Sequence, residues 1–352
     1  MTTTATILSL VTALPPYRHR QMALYDYCAP YIQSPRAKAI YAAAEIESRY
    51  SVLPDASIFA QGAPGSKARN DLYMAAAQPL AAKAIGQALA GAGLSPSDID
   101  HFILVSCTGF DNPGLEVSLA QALAMRPDLR RSALIGMGCY AGLTGLDRAM
   151  LEVTARPRSR ILLLTLEFCT LHFQPGHQLD DMIAGALFGD GLAAVVVGAS
   201  PAHRNGGLGL RDTMTFTAYE ARDLIGFHFS DTGFQIRLAT RLPKLLGRIV
   251  PGLVAEFLDR SGLAVADIAF WGIHPGGAKI LDYVGQALAL EPAALRFSRQ
   301  VLKNYGNMSA VTIFFVLDEI LRQGQPQPGD YLLLLSFGPG LTIELCLAQW
   351  SG

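Results

Sequence analysis

The chain has 352 residues, 51% of them hydrophobic and 16% charged, with 28 Lys+Arg against 29 Asp+Glu for a formal net charge of −1. That is enough apolar content for two domains or one large α/β unit, and the balanced charge offers neither a nucleic-acid surface nor an acidic disordered tract. Five cysteines at 28, 107, 139, 169 and 346 form no CxxC pair and no metal-ligand spacing, so a reducing cytoplasm is expected, with no disulfide framework and no metal.

Taken in chain order, residues 1–17 lack a basic region before their short apolar stretch, and Pro15-Pro16 ends it early, so no targeting segment is expected. Residues 71–93 are Ala-rich with helical periodicity, closing at Gly91 and Gly93. Residues 99–109 read as a buried strand, 115–125 as a helix, 131–138 as a strand and 140–153 as a helix. The apolar runs 160–168 and 191–199 are strands, and the stretches 161–168 and 331–337 are far shorter than the roughly 20 residues that span a bilayer. A second half repeats the rhythm: helix 243–262, strand 268–275, helix 278–290, helix 309–324 and two closing strands, YLLLLSFGPG and LTIELCLAQW. Continuous apolar runs of this kind suggest parallel strands covered by helices on both faces.

GLSPSDIDHFILVSC (93–107) parallels GLAVADIAFWGIH (262–274), which indicates an internal duplication. The Gly-rich stretch 203–209 divides the chain into halves 1–202 and 203–352.

Cys139 lies between a strand and a helix in LIGMGCYAGLTGLDRA, with Gly136, Gly138 and Gly142 around the turn. A cysteine is more often a small buried apolar residue, but this framing suits a sharp turn that leaves room for a substrate. At a helix head the sulfur would meet unpaired N–H groups and the positive dipole end, which favours the thiolate. His274 ends a strand in FWGIHPGGAKIL, and Asn307 opens an apolar helix in KNYGNMSAVTIFFV. Singly, each has a structural reading, a satisfied strand-end imidazole and a helix-capping amide. Together with Cys139 they form a Cys–His–Asn set at element ends, where α/β sheets build sites. The set suits decarboxylative condensation. A thiolate holds an acyl chain as a thioester, and His and Asn N–H groups steady the enolate oxygen left when a malonyl thioester loses carbon dioxide.

SCTGFDNPG (106–114), GCYAG (138–142), LFGDG (187–191), IHPGG (273–277), YGNMSA (305–310) and FGPG (337–340) resemble the type III polyketide synthases, the chalcone- and stilbene-synthase-like family, over nearly the whole chain. The resemblance implies a duplicated thiolase-like α/β/α/β/α fold, a homodimer, no cofactor beyond CoA-thioester substrates, and condensation of an acyl-CoA with malonyl-CoA. It makes Cys139 the nucleophile, with His274 and Asn307 as the oxyanion and decarboxylation pair. Phe188 matches the Phe that separates CoA tunnel from elongation cavity. Ile236 falls at the second gate, where plant members carry Phe, which implies a wider tunnel. Cys107 stands where bacterial members often have a pocket-lining cysteine, so the chain looks bacterial in type. Cys169 and His172 fall in the cavity wall, and Asn112 at the position that reaches into a partner's site. Gly338 belongs to the terminal loop, written SFGPG with Ser336 in place of the first Gly. Arg36, Lys38 and Lys279 are candidates for the CoA phosphates.

The product expected is an alkylpyrone or alkylresorcinol from a fatty acyl-CoA, since Ile236 and an aliphatic wall would admit a chain. Alternatives are a tetrahydroxynaphthalene-type synthase using malonyl-CoA only and a priming ketoacyl-carrier-protein synthase. From another class comes a papain-like cysteine hydrolase, whose signature GMGCYAG lacks.

Overall fold

The computed structural model describes residues 4–32, 34–55, 64–174, 178–200 and 207–351. The first half comprises β1 (Thr4–Ala13), β2 (Tyr17–Arg20), α1 (Gln21–Cys28), α2 (Ala37–Ala42), β3 (Ser48–Ser51), α3 (Ser66–Gly91), β4 (His101–Ser106), α4 (Leu115–Ala122), β5 (Arg130–Ile135), α5 (Ala141–Ala155), β6 (Arg160–Phe168), α6 (Leu179–Leu187) and β7 (Asp190–Ser200). The second comprises β8 (Leu208–Thr217), β9 (Ile225–Ser230), β10 (Gly233–Leu238), α7 (Leu242–Asp259), β11 (Ile268–Ile273), α8 (Ala278–Ala287), α9 (Arg296–Tyr305), α10 (Thr312–Glu319), β12 (Tyr331–Gly338) and β13 (Thr342–Trp350).

Nine strands run in the order β11-β12-β13-β8-β1-β7-β6-β4-β5. Within this sheet the described residues of the two halves pair through Thr6↔Gly209 and Ile7↔Leu208. Side chains alternate across each strand, and the period of two sorts them into separate cores. On β6, Leu162, Leu164 and Leu166 pack with α3, while Ile161 and Leu163 face α5 and α10. On β12, Leu332 and Leu334 face that same central helical layer, while Leu333 and Leu335 pack with α7 and α8. The result is five layers, α/β/α/β/α.

The duplication is visible in backbone detail. Gly93 and Gly262 share φ +67°. In the turns that follow, Asp98 accepts from Ser95 N–H at 2.7 Å and Asp267 from Ala264 N–H at 2.8 Å. The repeat is incomplete, because where the first half places edge strand β5, the second folds a 3-10 turn, Pro292–Leu295, and α9. The proposed divider falls partly on residues 201–206, outside the described ones.

The parallel-strand expectation needs correction. Only β4–β5, β4–β6 and β11–β12 are parallel; the remaining neighbours are antiparallel. Continuous apolar runs report that both faces are covered, and the five layers do that whatever the strand direction. The helix expected over 309–324 also divides, into a 3-10 turn at Ser309–Val311, α10, and a π turn at Ile320–Gly324. No described helix is long and apolar enough to cross a membrane.

Candidate active site

β5 delivers the chain to Gly136 (φ +76°) and Gly138 (φ +85°), and Cys139 and Tyr140 then lead into α5. A Cβ on Gly138 would lie 2.3 Å from Pro339 Cδ, so both its backbone angle and its close neighbour call for glycine. The Gly138 N–H donates to Cys107 Sγ at 3.0 Å, which pins the turn to the end of β4. Gly338 is extended and is needed for proximity instead, since its Cβ would approach the Cys139 nitrogen to 3.1 Å and Tyr140 Cδ1 to 2.9 Å. Ser336 is accommodated within β12, paired with Glu344 across the ladder.

Cys139 is 8% exposed, and burial pushes its thiol up to about 12 against the opposing pull of the Ser309 hydroxyl and a backbone N–H. The thiolate expected from the helix head is therefore outweighed by desolvation, and the resting sulfur is a thiol. His274 continues the β11 ladder through its N–H to Leu335 O, 2.8 Å. Its ring is 1% exposed, and neither ring nitrogen has a hydrogen-bond partner. Burial pushes it down to about 3, so the imidazole is neutral. Phe337 holds it edge to face at 5.6 Å.

Asn307 is bracketed by backbone bonds, its N–H donating to Leu187 O and its carbonyl accepting from Gly189 N–H, both 2.9 Å. Its Oδ1 accepts from Ser309 N–H at 2.8 Å. The carboxamide is thereby oriented with its NH2 free to donate. The capping-type hydrogen bond expected of Asn307 thus uses its oxygen and leaves its NH2 uncommitted.

Cys139, His274 and Asn307 line one cavity, together with Phe188, Cys107, Cys169, His172 and Ile236. It encloses about 760 Å³ of atom-free space. Burial pushes the Cys107 and Cys169 thiols up as well, so neither competes as a thiolate. His172 donates from Nε2 to Thr108 O at 2.7 Å, accepts at Nδ1 from Phe234 N–H at 3.3 Å, and stacks on Phe234 at 4.1 Å. Burial holds it neutral, at about 4.

Ile236 pairs directly with Phe227 across the β9–β10 ladder. Phe227 also lines the cavity and stacks on Phe234 at 4.5 Å. The widening expected from Ile236 is thus offset by an aromatic ring supplied by the facing strand. Three further residues escaped the sequence reading. Glu167, fully buried, accepts from the backbone of Cys107 and Thr108 and from the Thr108 hydroxyl at 2.8 Å. Burial raises it to about 7. Its one signal was a lone carboxylate inside the apolar run 160–168. Ser309 lies inside the YGNMSA stretch with no role implied for it there, and Phe234 carried no signal.

A second cavity, of about 680 Å³, shares Phe188, Cys169, His172, Phe234 and Ile236 with the first and continues past Leu24, Leu53 and Phe173. A third shares Leu238, Gly276 and Ile280 and runs between α2 and α8, where Lys279 lines it. Arg36 and Lys38, at the head of α2, are exposed, and neither they nor Lys279 makes an ion pair among the described residues. Asn112 is exposed in the loop before α4 and takes no part in this chain's own cavity lining. No cluster of His, Cys, Asp and Glu among the described residues is placed to hold a metal ion.

Comparison with known proteins decides what this arrangement is. The family model described as chalcone and stilbene synthases, N-terminal domain, matches residues 2–201, and its C-terminal counterpart matches 213–349. The chain belongs to the chalcone and stilbene synthase family. It is a type III polyketide synthase, an acyltransferase that works by decarboxylative condensation. A 1,3,6,8-tetrahydroxynaphthalene synthase from Streptomyces peucetius subsp. caesius is 33% identical, covering 98% of this chain and 93% of that one. The crystal structure of 1,3,6,8-tetrahydroxynaphthalene synthase from Streptomyces coelicolor A3(2) superposes with a TM-score of 0.91 at 30% identity, covering 98% and 99%. That of PKS-I from the brown alga Ectocarpus siliculosus gives 0.93 at 26%, covering 99% of each. A papain-like hydrolase and a carrier-protein-primed synthase are thereby set aside. For a type III polyketide synthase the relevant chemistry is thioester exchange and enolate formation, and one cavity is lined by a buried thiol, a neutral imidazole and an oriented amide.

Proposed function

We propose that this synthase loads a fatty acyl group from its CoA thioester onto Cys139, extends it with malonyl units and closes an alkylpyrone or alkylresorcinol. His274, neutral and unpartnered, takes the Cys139 proton as the sulfur attacks the acyl-CoA carbonyl, and returns it to the departing CoA sulfur. Malonyl-CoA then loses carbon dioxide. The electron pair of the broken C–C bond moves to the thioester oxygen, where the His274 and Asn307 N–H groups receive the charge. The enolate carbon attacks the Cys139 thioester, the C–S bond breaks, and Cys139 is freed for the next round while the lengthened chain sits on CoA.

The observation that supports the fatty starter is a second cavity adjoining the central one across Phe188, Cys169, His172, Phe234 and Ile236. Its Leu24, Leu53 and Phe173 walls suit an alkyl tail, and Asp55 and Asp181 also line it. Lys279, in the wall of the third cavity, and Arg36 and Lys38, exposed at the head of α2, are the groups proposed for the CoA phosphates. We also propose a cytoplasmic homodimer, supported by the unpaired outer edge of β5 among the described residues and by the exposure of Ile135 at its end. A second reading, a synthase using malonyl-CoA only, is favoured by the similarity to tetrahydroxynaphthalene synthases and by Phe227, which narrows the central cavity. Mass spectrometry of products from malonyl-CoA with acetyl-, hexanoyl-, lauroyl- and palmitoyl-CoA separates the two. Alkyl products that track the starter support the first reading, and malonyl-only products whatever is offered overturn it.

A further inference from the structure

β3 buries a guanidinium with no carboxylate at contact distance among the described residues. Arg49 is 2% exposed, and desolvation pulls its pKa down. Nε donates to Gln21 Oε1 at 2.9 Å and Nη1 to the Phe188 carbonyl at 2.5 Å, while Nη2 has no hydrogen-bond partner. Gln21 is itself anchored, Nε2 donating to Ala186 O at 2.8 Å and Tyr41 O at 3.2 Å. Burying a charge is costly unless it is paired and hydrogen-bonded, and an apolar residue of similar volume such as methionine often costs less.

The stem of Arg49 lies where the two site-bearing turns meet. A Cβ on Gly306 would come within 2.8 Å of Arg49 Cδ, and one on Gly189 within 3.4 Å of Arg49 Cβ. Gly306 precedes Asn307 and Gly189 follows Phe188. Phe188 and Asn307 form a parallel bridge, closed by Asn307 N–H to Leu187 O and Gly189 N–H to Asn307 O. β3 is tied to the same place from its other end, with Ser48 Oγ donating to Asn304 O and Glu47 N–H to Lys303 O.

We propose that Arg49, oriented by Gln21, is a positioning residue for condensation. It clamps the Phe188–Gly189 turn against the Gly306–Asn307 turn, and so sets where the Asn307 carboxamide meets the enolate oxygen. The inference rests on the role given to Asn307 but not on which starter is used.

Arg49→Met, Arg49→Lys and Gln21→Leu in the full chain test it, each read for Cys139 acylation by a starter acyl-CoA (by intact mass) and for malonyl-CoA consumption per acylatable site. Acylation stoichiometry is expected to hold within about 2-fold. The kcat for malonyl consumption should fall by about 10- to 100-fold in Arg49→Met, the loss expected for a misplacement near 1 Å, with Arg49→Lys intermediate. A wild-type kcat per acylatable site in Arg49→Met overturns the proposal, as does a loss that only follows the loss of acylatable protein. Should Arg49→Met fail to fold, Gln21→Leu carries the same expectation and the same refuting result. Malonyl-only products from the wild type would overturn the fatty-starter reading and leave this comparison intact.

Discussion

Gly142→Ala isolates the packing that brings the sulfur and the amide together. Gly142 is the second residue of α5, and a Cβ there would lie 2.4 Å from the Ala310 carbonyl oxygen and 3.0 Å from Phe314 Cε2. The first neighbour is backbone and cannot rotate away. Ordinary contact begins near 3.4 Å, so α5 and the Ser309–Val311 turn must part by about 1 Å. Overpacking of this kind costs about 1–3 kcal/mol, while Ala in place of a helical Gly returns about 1 kcal/mol. Net destabilisation is therefore about 0–2 kcal/mol, or at most about 4 °C in Tm. Catalysis should suffer far more, because Cys139 rides on α5 and Asn307 on the turn, and a 1 Å misplacement can cost about 100-fold. Differential scanning calorimetry with a malonyl-CoA consumption assay reads both. Gly86→Ala in α3, with nothing within 4 Å of its new methyl, is the control and should gain about 0.5–1 kcal/mol with unchanged kcat. A Gly142→Ala enzyme with wild-type kcat would refute the claim that this contact sets the site.

His274→Gln should leave Cys139 acylation detectable by mass while lowering malonyl-CoA decarboxylation about 100- to 1000-fold; equal loss of both steps would instead place His274 only in loading. Glu344 is buried on β13, accepts from Thr144 and Thr215, and burial raises it to about 7. Its folded value exceeds the unfolded one near 4.5, so the folded state binds the proton more tightly and stability falls as pH rises from about 4.5 through 7. Glu344→Gln should therefore gain stability over wild type as pH rises from 5 to 8, by at most about 3 kcal/mol, read as a widening Tm difference, and a Tm difference independent of pH would refute the assignment. Phe227→Ala, by removing the ring opposite Ile236, should shift products towards longer or later-cyclised chains in the mass spectrum, whereas an unchanged distribution would show that this wall does not limit them.

Local pattern made much of this protein legible. The glycines around Cys139, the strand-end His274 and the turn-forming Asn307 announce element ends, because only certain residues tolerate such backbone angles and close approaches. The paired stretches at 93–107 and 262–274 announced the duplication, since the same turn chemistry recurs at Ser95–Asp98 and Ala264–Asp267. Strand direction was not legible, for apolar runs record coverage on both faces and carry no sense of which way a neighbour runs. β1 illustrates this: a short apolar stretch that read only as the absence of a leader lies at the centre of the sheet, between β7 and β8.

What the fold alone decided concerns neighbours distant in sequence. A helix head suggests a thiolate, yet whether Cys139 ionises depends on how much water the surrounding layers exclude, and burial wins. Ile236 suggests an open gate, yet the space beside it is set by Phe227 across a hairpin that no local periodicity announced. Arg49 looks like a surface charge in ESRYS and proves to be held between two turns 139 and some 257 residues further along. Residue type and spacing determine local conformation over a few residues; desolvation and close packing are properties of the assembled layers, and only the assembled layers determine them.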